Sequence, residues 1–186
     1  MNDIVLTTHR LALRQWREGD DTHAAAMQTP AVMRWLQDEA MPVRRPGSVF
    51  ERMRAMQEEH GHCFWVAERQ SDGAFLGYCG LKRVDATGTS LTGSLEIGWS
   101  LAEQYWGRGY ATEAAVAVLD HAFDTYDVPF VVALTVAENV ASWRLMKRIG
   151  MTRRAELDFD DPAFSHALNP TIVYGIDRDQ PRGTPL

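Results

Sequence analysis

Glu96-Ile97-Gly98-Trp99-Ser100-Leu101-Ala102-Glu103-Gln104-Tyr105-Trp106-Gly107-Arg108-Gly109-Tyr110-Ala111-Thr112-Glu113-Ala114-Ala115 is the stretch whose reading decides the fold. Leu95, Ile97, Trp99 and Leu101 alternate with small or polar residues, the period of a half-buried strand. Ala111, Ala115, Val118 and Ala122 recur at helical spacing, with Leu119 and Phe123 widening the apolar stripe. Between them lies a turn that holds Gln104, Gly107 and Gly109. Glycine there lets the backbone curl tightly and approach another molecule with no Cβ in the way. The first amides of the following helix have no partners inside it. They sit at the positive end of its dipole, which makes a site for phosphate oxygens.

Spacing separates this turn from other phosphate folds. A Walker loop needs Gly-Lys before Ser or Thr, and the chain has no Gly-Lys pair. A dinucleotide fingerprint needs a third glycine, and Thr112 stands in its place. Gln104-x-x-Gly107-x-Gly109 instead resembles the Q/R-x-x-G-x-G/A signature of the GNAT N-acetyltransferases. Further words resemble the RimJ/RimL-type branch: Thr8-His9-Arg10-Leu11-Ala12-Leu13-Arg14, Glu96-Ile97-Gly98-Trp99, Trp106 through Ala114, and Glu138-Asn139-x-x-Ser142. The resemblance runs from about Thr8 to Ile176 and rests on the ordered set of words more than on the loop alone.

The bulk numbers fit this reading. The 186 residues suit a single domain, 45% hydrophobic and 24% charged. A formal net charge of −6 argues against broad binding to nucleic acid or anionic membranes. The chain has no apolar run of transmembrane length, and its start lacks the basic region and apolar core of a signal peptide. A cytoplasmic protein is expected. Cys63 and Cys79 read as buried thiols on neighbouring strands, and His60-Gly61-His62 offers too few ligands for zinc.

In chain order, Arg10 to Gln15 reads as a first strand, and Asp20 or Asp21 as the cap of a short helix ending before Pro30. Ala31 to Pro42 has no clear period, and Pro46 opens a helix from about Gly47 to His60. Cys63–Arg69 and Ala74–Arg83 form a hairpin around Asp72-Gly73, followed by a loop from Val84 to Gly93. The helix after the glycine turn stops near Asp127, before Pro129. Phe130–Val136 reads as a central strand, Asn139 caps a helix ending at Gly150, and Thr152–Asp158 and Thr171–Ile176 read as the last strands. Asp177–Leu186 reads as a frayed tail.

The resemblance implies an α/β (α+β) fold. Its sheet is mixed, mostly antiparallel and twisted, with flanking helices and a central strand pair that splays apart. It implies acetyl-CoA as the acetyl donor and no metal. Trp99, Ser100 and Leu101 would offer strand edge to the pantetheine arm. The pyrophosphate would rest on the amides of Gly107, Arg108, Gly109, Tyr110, Ala111 and Thr112, with Gln104 opening the signature and Arg108 adding charge. Asn139 can cap its helix and still offer amide hydrogens to CoA. Ser142 would face the CoA sulfur as partner of the leaving thiolate, or is an ordinary first-turn serine. A strand amide near Ile97 to Trp99 would take the charge on the carbonyl oxygen.

The acceptor must be a neutral amine. An α-amine with a pKa of about 7.7–8.0 releases its proton more readily than lysine, so a weak base acting through water suffices. Glu96 is the candidate base; its alternative is a solvated or arginine-paired strand residue. Asp158, Asp160 and Asp161 read as an exposed charged turn, or as a hold for a cationic acceptor. His121 reads as structural, Trp106 and Tyr110 as packing over the loop or shielding CoA, and Trp35 and Tyr174 as lining the acceptor mouth. The expected activity is N-acetyl transfer to a protein N-terminus or a small amine such as a polyamine or antibiotic, by a monomer or homodimer. A non-catalytic acyl-CoA sensor is the alternative.

Overall fold

The structure, a computed structural model, describes residues 3–36 and 48–183. Its strands are β1 (Ile4–Thr7), β2 (Leu11–Arg14), β3 (Phe64–Arg69), β4 (Ala74–Arg83), β5 (Leu95–Leu101), β6 (Phe130–Thr135), β7 (Thr152–Arg153) and β8 (Ile172–Asp177). The helices are α1 (Asp20–Ala26), α2 (Pro30–Met33), α3 (Val49–His60), α4 (Tyr110–Thr125) and α5 (Val140–Arg148). The strands form one sheet in the order β1-β2-β3-β4-β5-β6-β8-β7. Every neighbouring pair is antiparallel except β5 and β6.

That exception positions the site. β5 and β6 run parallel and meet at a single pair, Glu96 with Val132. β4 stays paired with β5 from Leu95 to Leu101, and β8 with β6 from Phe130 to Thr135. Beyond Glu96 the two central strands therefore part, and each keeps an unshared edge. α4 packs on β4 and β5, with Ala114, Ala115, Val118, Leu119 and Ala122 fully buried. Its alanines let the helix sit close to the sheet, and the core is built on this contact. A second, smaller apolar cluster joins Val84, Ala86 and Leu91 of the β4–β5 loop to Val132, Phe159 and Val173.

The local signals explain the boundaries. Ser48 caps α3 and Glu51 returns the bond in a capping box; Pro42, Pro46 and Gly47 lie outside the described residues. Asp20 is not a cap but the buried first residue of α1. Its carboxylate takes the Arg14 guanidinium at 2.8 and 3.0 Å and the Arg17 amide. Asp21 instead accepts the Phe50 amide in the first turn of α3. Met151 donates to the Met146 carbonyl and Gly150 to that of Lys147, so α5 ends in a Schellman motif.

Four expectations change. A strand, β1, precedes β2 at the sheet edge. The strand expected over Thr152–Asp158 lasts only to Arg153, because the Asp158 carboxylate turns back onto the Arg153 guanidinium and the Val173 amide. The tail is held as far as Gly183: its amide donates to Ile149, Arg178 donates to the Phe123 carbonyl, and Arg182 pairs with Asp120. Tyr174 is buried in the main core rather than at a mouth.

Candidate active site

A cavity of about 1080 Å³ opens between the parted strands. Its walls include Glu96 through Leu101 of β5, Leu134 to Val136 beside β6, the glycine turn, the start of α4, and Asn139 and Ser142 of α5. The register shows which backbone groups face it. Val84 donates to Ser94 and Ala102 donates to Leu76, so the even-numbered residues of this stretch bond toward β4. Ile97 therefore faces β6 at the closed root of the split, and Trp99 and Leu101 turn their amides and carbonyls to the open edge. Ser100 does not share that edge: its backbone lies on the β4 side, opposite Tyr78. The Leu101 carbonyl is already taken by the Trp106 indole at 2.7 Å, which ties the turn to the strand.

At the end of that edge stands the α4 N-terminus. Gly109 is its N-cap with φ 80°, and no side chain caps it. α3 and α5, by contrast, have side-chain caps. The amides of Tyr110, Ala111 and Thr112 thus open onto the cavity as orphan donors with the helix dipole behind them. A Cβ on Gly107, at φ 72°, would meet nothing within 4 Å, so the space before the turn is clear. A strand edge of alternating donors and acceptors that leads to uncapped amides fits an amide-rich arm ending in phosphates, the form of CoA.

The turn is held from behind by a clamp for which the sequence reading had no role. Glu113, in the first turn of α4, accepts the Thr8 hydroxyl at 2.6 Å, the Arg10 amide at 2.7 Å and Arg10 Nε at 2.6 Å. Burial alone would raise its pKa. These hydrogen bonds outweigh burial and hold the carboxyl below the usual range. Arg10 also donates to the Arg108 carbonyl at 3.0 Å and lies over the Tyr110 ring. The only sequence signal was that Thr8, Arg10 and Glu113 all stand inside the motif words. Gln104 and Arg108 are exposed and lie outside the cavity lining. Arg148 lines it instead, and donates to Thr112 at 3.4 Å.

Glu96 lies at the root of the split, 7% exposed. Its partner is a lysine, not an arginine: Lys82 stands 3.2 Å from its carboxylate and 3.1 Å from Asp85. Asn139 caps α5 by accepting the Ser142 amide at 3.4 Å. The half-buried Ser142 side chain faces the cavity. The acidic group is divided. Asp158 is paired with Arg153, Asp160 is exposed, and Asp161 is buried in the cavity wall with Oδ1 on the Ala163 amide. Trp35 also lines the cavity. His121 sits edge-on to Trp65 in the fold, as a structural residue should.

A mixed sheet split between two parallel central strands, with a phosphate-type turn at the mouth of the split, defines an acyl-CoA type of fold. The sequence profile of the acetyltransferase (GNAT) domain matches residues 10–152, and the chain belongs to that family. It is similar to YkkB of Bacillus subtilis, 37% identical over 95 residues that cover 51% of this chain and 54% of that protein. The first curated relatives are matched over 54%, 34% and 53% of their own length. Among solved structures, an acetyltransferase from Agrobacterium tumefaciens is 29% identical with a TM-score of 0.72, covering 92% of each chain. Mycobacterium smegmatis RimJ, solved with CoA-disulfide, shares the fold with a TM-score of 0.71 at 20% identity, over 91% of this chain and 86% of that one.

Proposed function

We propose that this chain is an acetyl-CoA-dependent N-acetyltransferase that acylates a primary amine by direct attack within a ternary complex. The open β5 edge leading to the uncapped α4 N-terminus carries the reading. Bound acetyl-CoA would supply an activated acetyl group: the amine nitrogen bonds the carbonyl carbon, the carbon–sulfur bond breaks, and the thiolate takes up a proton. The chain's residues prepare each part. Ile97 to Leu101 and the α4 amides bind and align the donor. The Trp99 amide would donate to the carbonyl oxygen. Glu96 draws the amine proton through water, with Lys82 holding its carboxylate in place. The Ser142 hydroxyl hydrogen-bonds the leaving sulfur. We place the chain in the RimJ/RimL-type branch as a single-domain, cytoplasmic protein; the motif words support the branch, and among the described residues no helix is long and apolar enough to cross a membrane.

Ligand-induced thermal stabilisation tests the donor. At a hundredfold excess over its Kd, acetyl-CoA should add about 2.7 kcal/mol, or about 5–10 °C in a protein of this size. ATP and NAD should add far less. Equal stabilisation by ATP or NAD, or none by acetyl-CoA, would contradict the assignment.

A further inference from the structure

Where β5 leaves β6, one face of the strand carries no side chain and is covered by the Phe64 ring. Phe64, Gly80 and Gly98 are directly opposed across β3, β4 and β5, and so share one face of the sheet with Tyr78. The two glycines differ. A Cβ on Gly80 would strike the Cys63 carbonyl at 2.1 Å and the Phe64 Cα at 2.7 Å, so Gly80 lets two backbones approach. A Cβ on Gly98 would instead meet the Phe64 ring, at 2.9 and 3.0 Å, so that ring fills the space a β5 side chain would take. The ring is held there. It stacks on Tyr78 with centroids 6.1 Å apart and planes at 17°. Trp16 packs on Tyr78 at 6.0 Å, and its indole donates to the Phe64 carbonyl at 2.7 Å. Gly98 stands two residues beyond Glu96, the root of the split, and both Gly98 and Phe64 line the cavity. The opposite face is closed: Ile97 and Leu101 join the buried core with Ala114, Ala115 and Val118 of α4.

We infer that Phe64 selects the acyl group by length, admitting acetyl and excluding butyryl and longer chains. This rests on the acetyl-transfer reading and deepens it. With the carbonyl oxygen at the Trp99 amide, the acyl carbons lie beside Gly98. Toward α4 the face is packed, and toward β6 the strands close at Glu96 and Val132. The acyl group therefore extends on the Phe64 face. The amine comes from that face as well, because Glu96 has the parity of Gly98. A methyl group stops short of the ring, whereas each further methylene has to displace a ring wedged between Gly98 and Tyr78. Phe64 is thus a specificity-determining residue and takes no part in proton transfer.

Calorimetric titration of CoA, acetyl-CoA, butyryl-CoA and hexanoyl-CoA into the protein, with no amine present, tests this whatever the acceptor is. The parent should bind butyryl-CoA and hexanoyl-CoA at least about tenfold more weakly than acetyl-CoA, the size of a moderate overpacking cost. Phe64→Ala should bind free CoA as the parent does and butyryl-CoA at least as tightly as acetyl-CoA, with a gain of up to about fourfold for each methylene that finds room. Phe64→Leu, which keeps an apolar side chain in the wall, should move the butyryl-to-acetyl ratio in the same direction by less, and it decides the matter if the alanine variant loses CoA affinity. Equal affinity of the parent for the three thioesters would overturn the inference. An unchanged ratio in a variant that still binds CoA would do the same, by placing the limit elsewhere. Failure of the parent to bind CoA and acetyl-CoA would instead strike the acetyl-transfer reading.

Discussion

Replacing Glu113 by Gln should loosen the glycine turn from behind. The carboxylate is 5% exposed and accepts three hydrogen bonds, two of them from Arg10, whose side chain is 33% exposed. Hydrogen bonds to a charged group contribute about 1.5–3 kcal/mol each. Gln keeps one acceptor oxygen, and water can reach part of Arg10, so the net loss should be about 2 kcal/mol. That corresponds to a fall of about 4–8 °C in Tm. The loss should depend on pH in a defined direction. Hydrogen bonding holds the folded pKa of Glu113 below its unfolded value. The stabilisation is therefore complete above the ordinary carboxylate range and disappears as pH falls through the lowered folded value. Thermal melts of both proteins, at neutral pH and in steps down through the carboxylate range, should show a gap that closes in acid. The variant should also bind acetyl-CoA more weakly, because Arg10 holds the Arg108 carbonyl. A variant that melts within about 1 °C of the parent at neutral pH, or a gap that widens in acid, would refute the clamp.

Other outcomes follow from the same geometry. Gly107→Glu should abolish acetyl-CoA affinity, since a carboxylate would enter the clear space before the α4 amides. Gly107→Ala shares the left-handed strain without the charge and should lose far less; equal losses would assign the effect to backbone conformation. Glu96→Gln should lower turnover most at neutral pH and least in alkali, where the amine is already neutral, and a pH-independent loss would remove it as the base. Burial pushes the Cys63 thiol up to about 12 and Cys79 higher still, so neither should react with a thiol reagent until the protein is denatured. Rapid labelling of the native protein would contradict their burial.

The frame was legible because strong local signals agreed with the fold. The alternation in β5, the glycine turn and the stripe of α4 each name one element. Asn139, which the sequence marked as a cap, is one. What escaped depends on long-range partners. Glu113 meets Thr8 and Arg10 across more than a hundred positions, so no window of sequence contains the clamp. The wall of Phe64, Tyr78 and Gly98 is created by strand register, which a single strand does not reveal. Ser100 illustrates the period of two: correct strand, wrong edge. Asp158 shows a side chain overriding an apparently extended segment.

Acetyl transfer to an amine in a ternary complex has a defined kinetic signature. Initial rates with acetyl-CoA and amine varied together, following released CoA thiol and acetylated amine in the same samples, test it most directly. Equimolar products, no thiol release without an amine, and intersecting double-reciprocal lines are expected. Parallel lines, or thiol release that yields no acetylated amine, would contradict it.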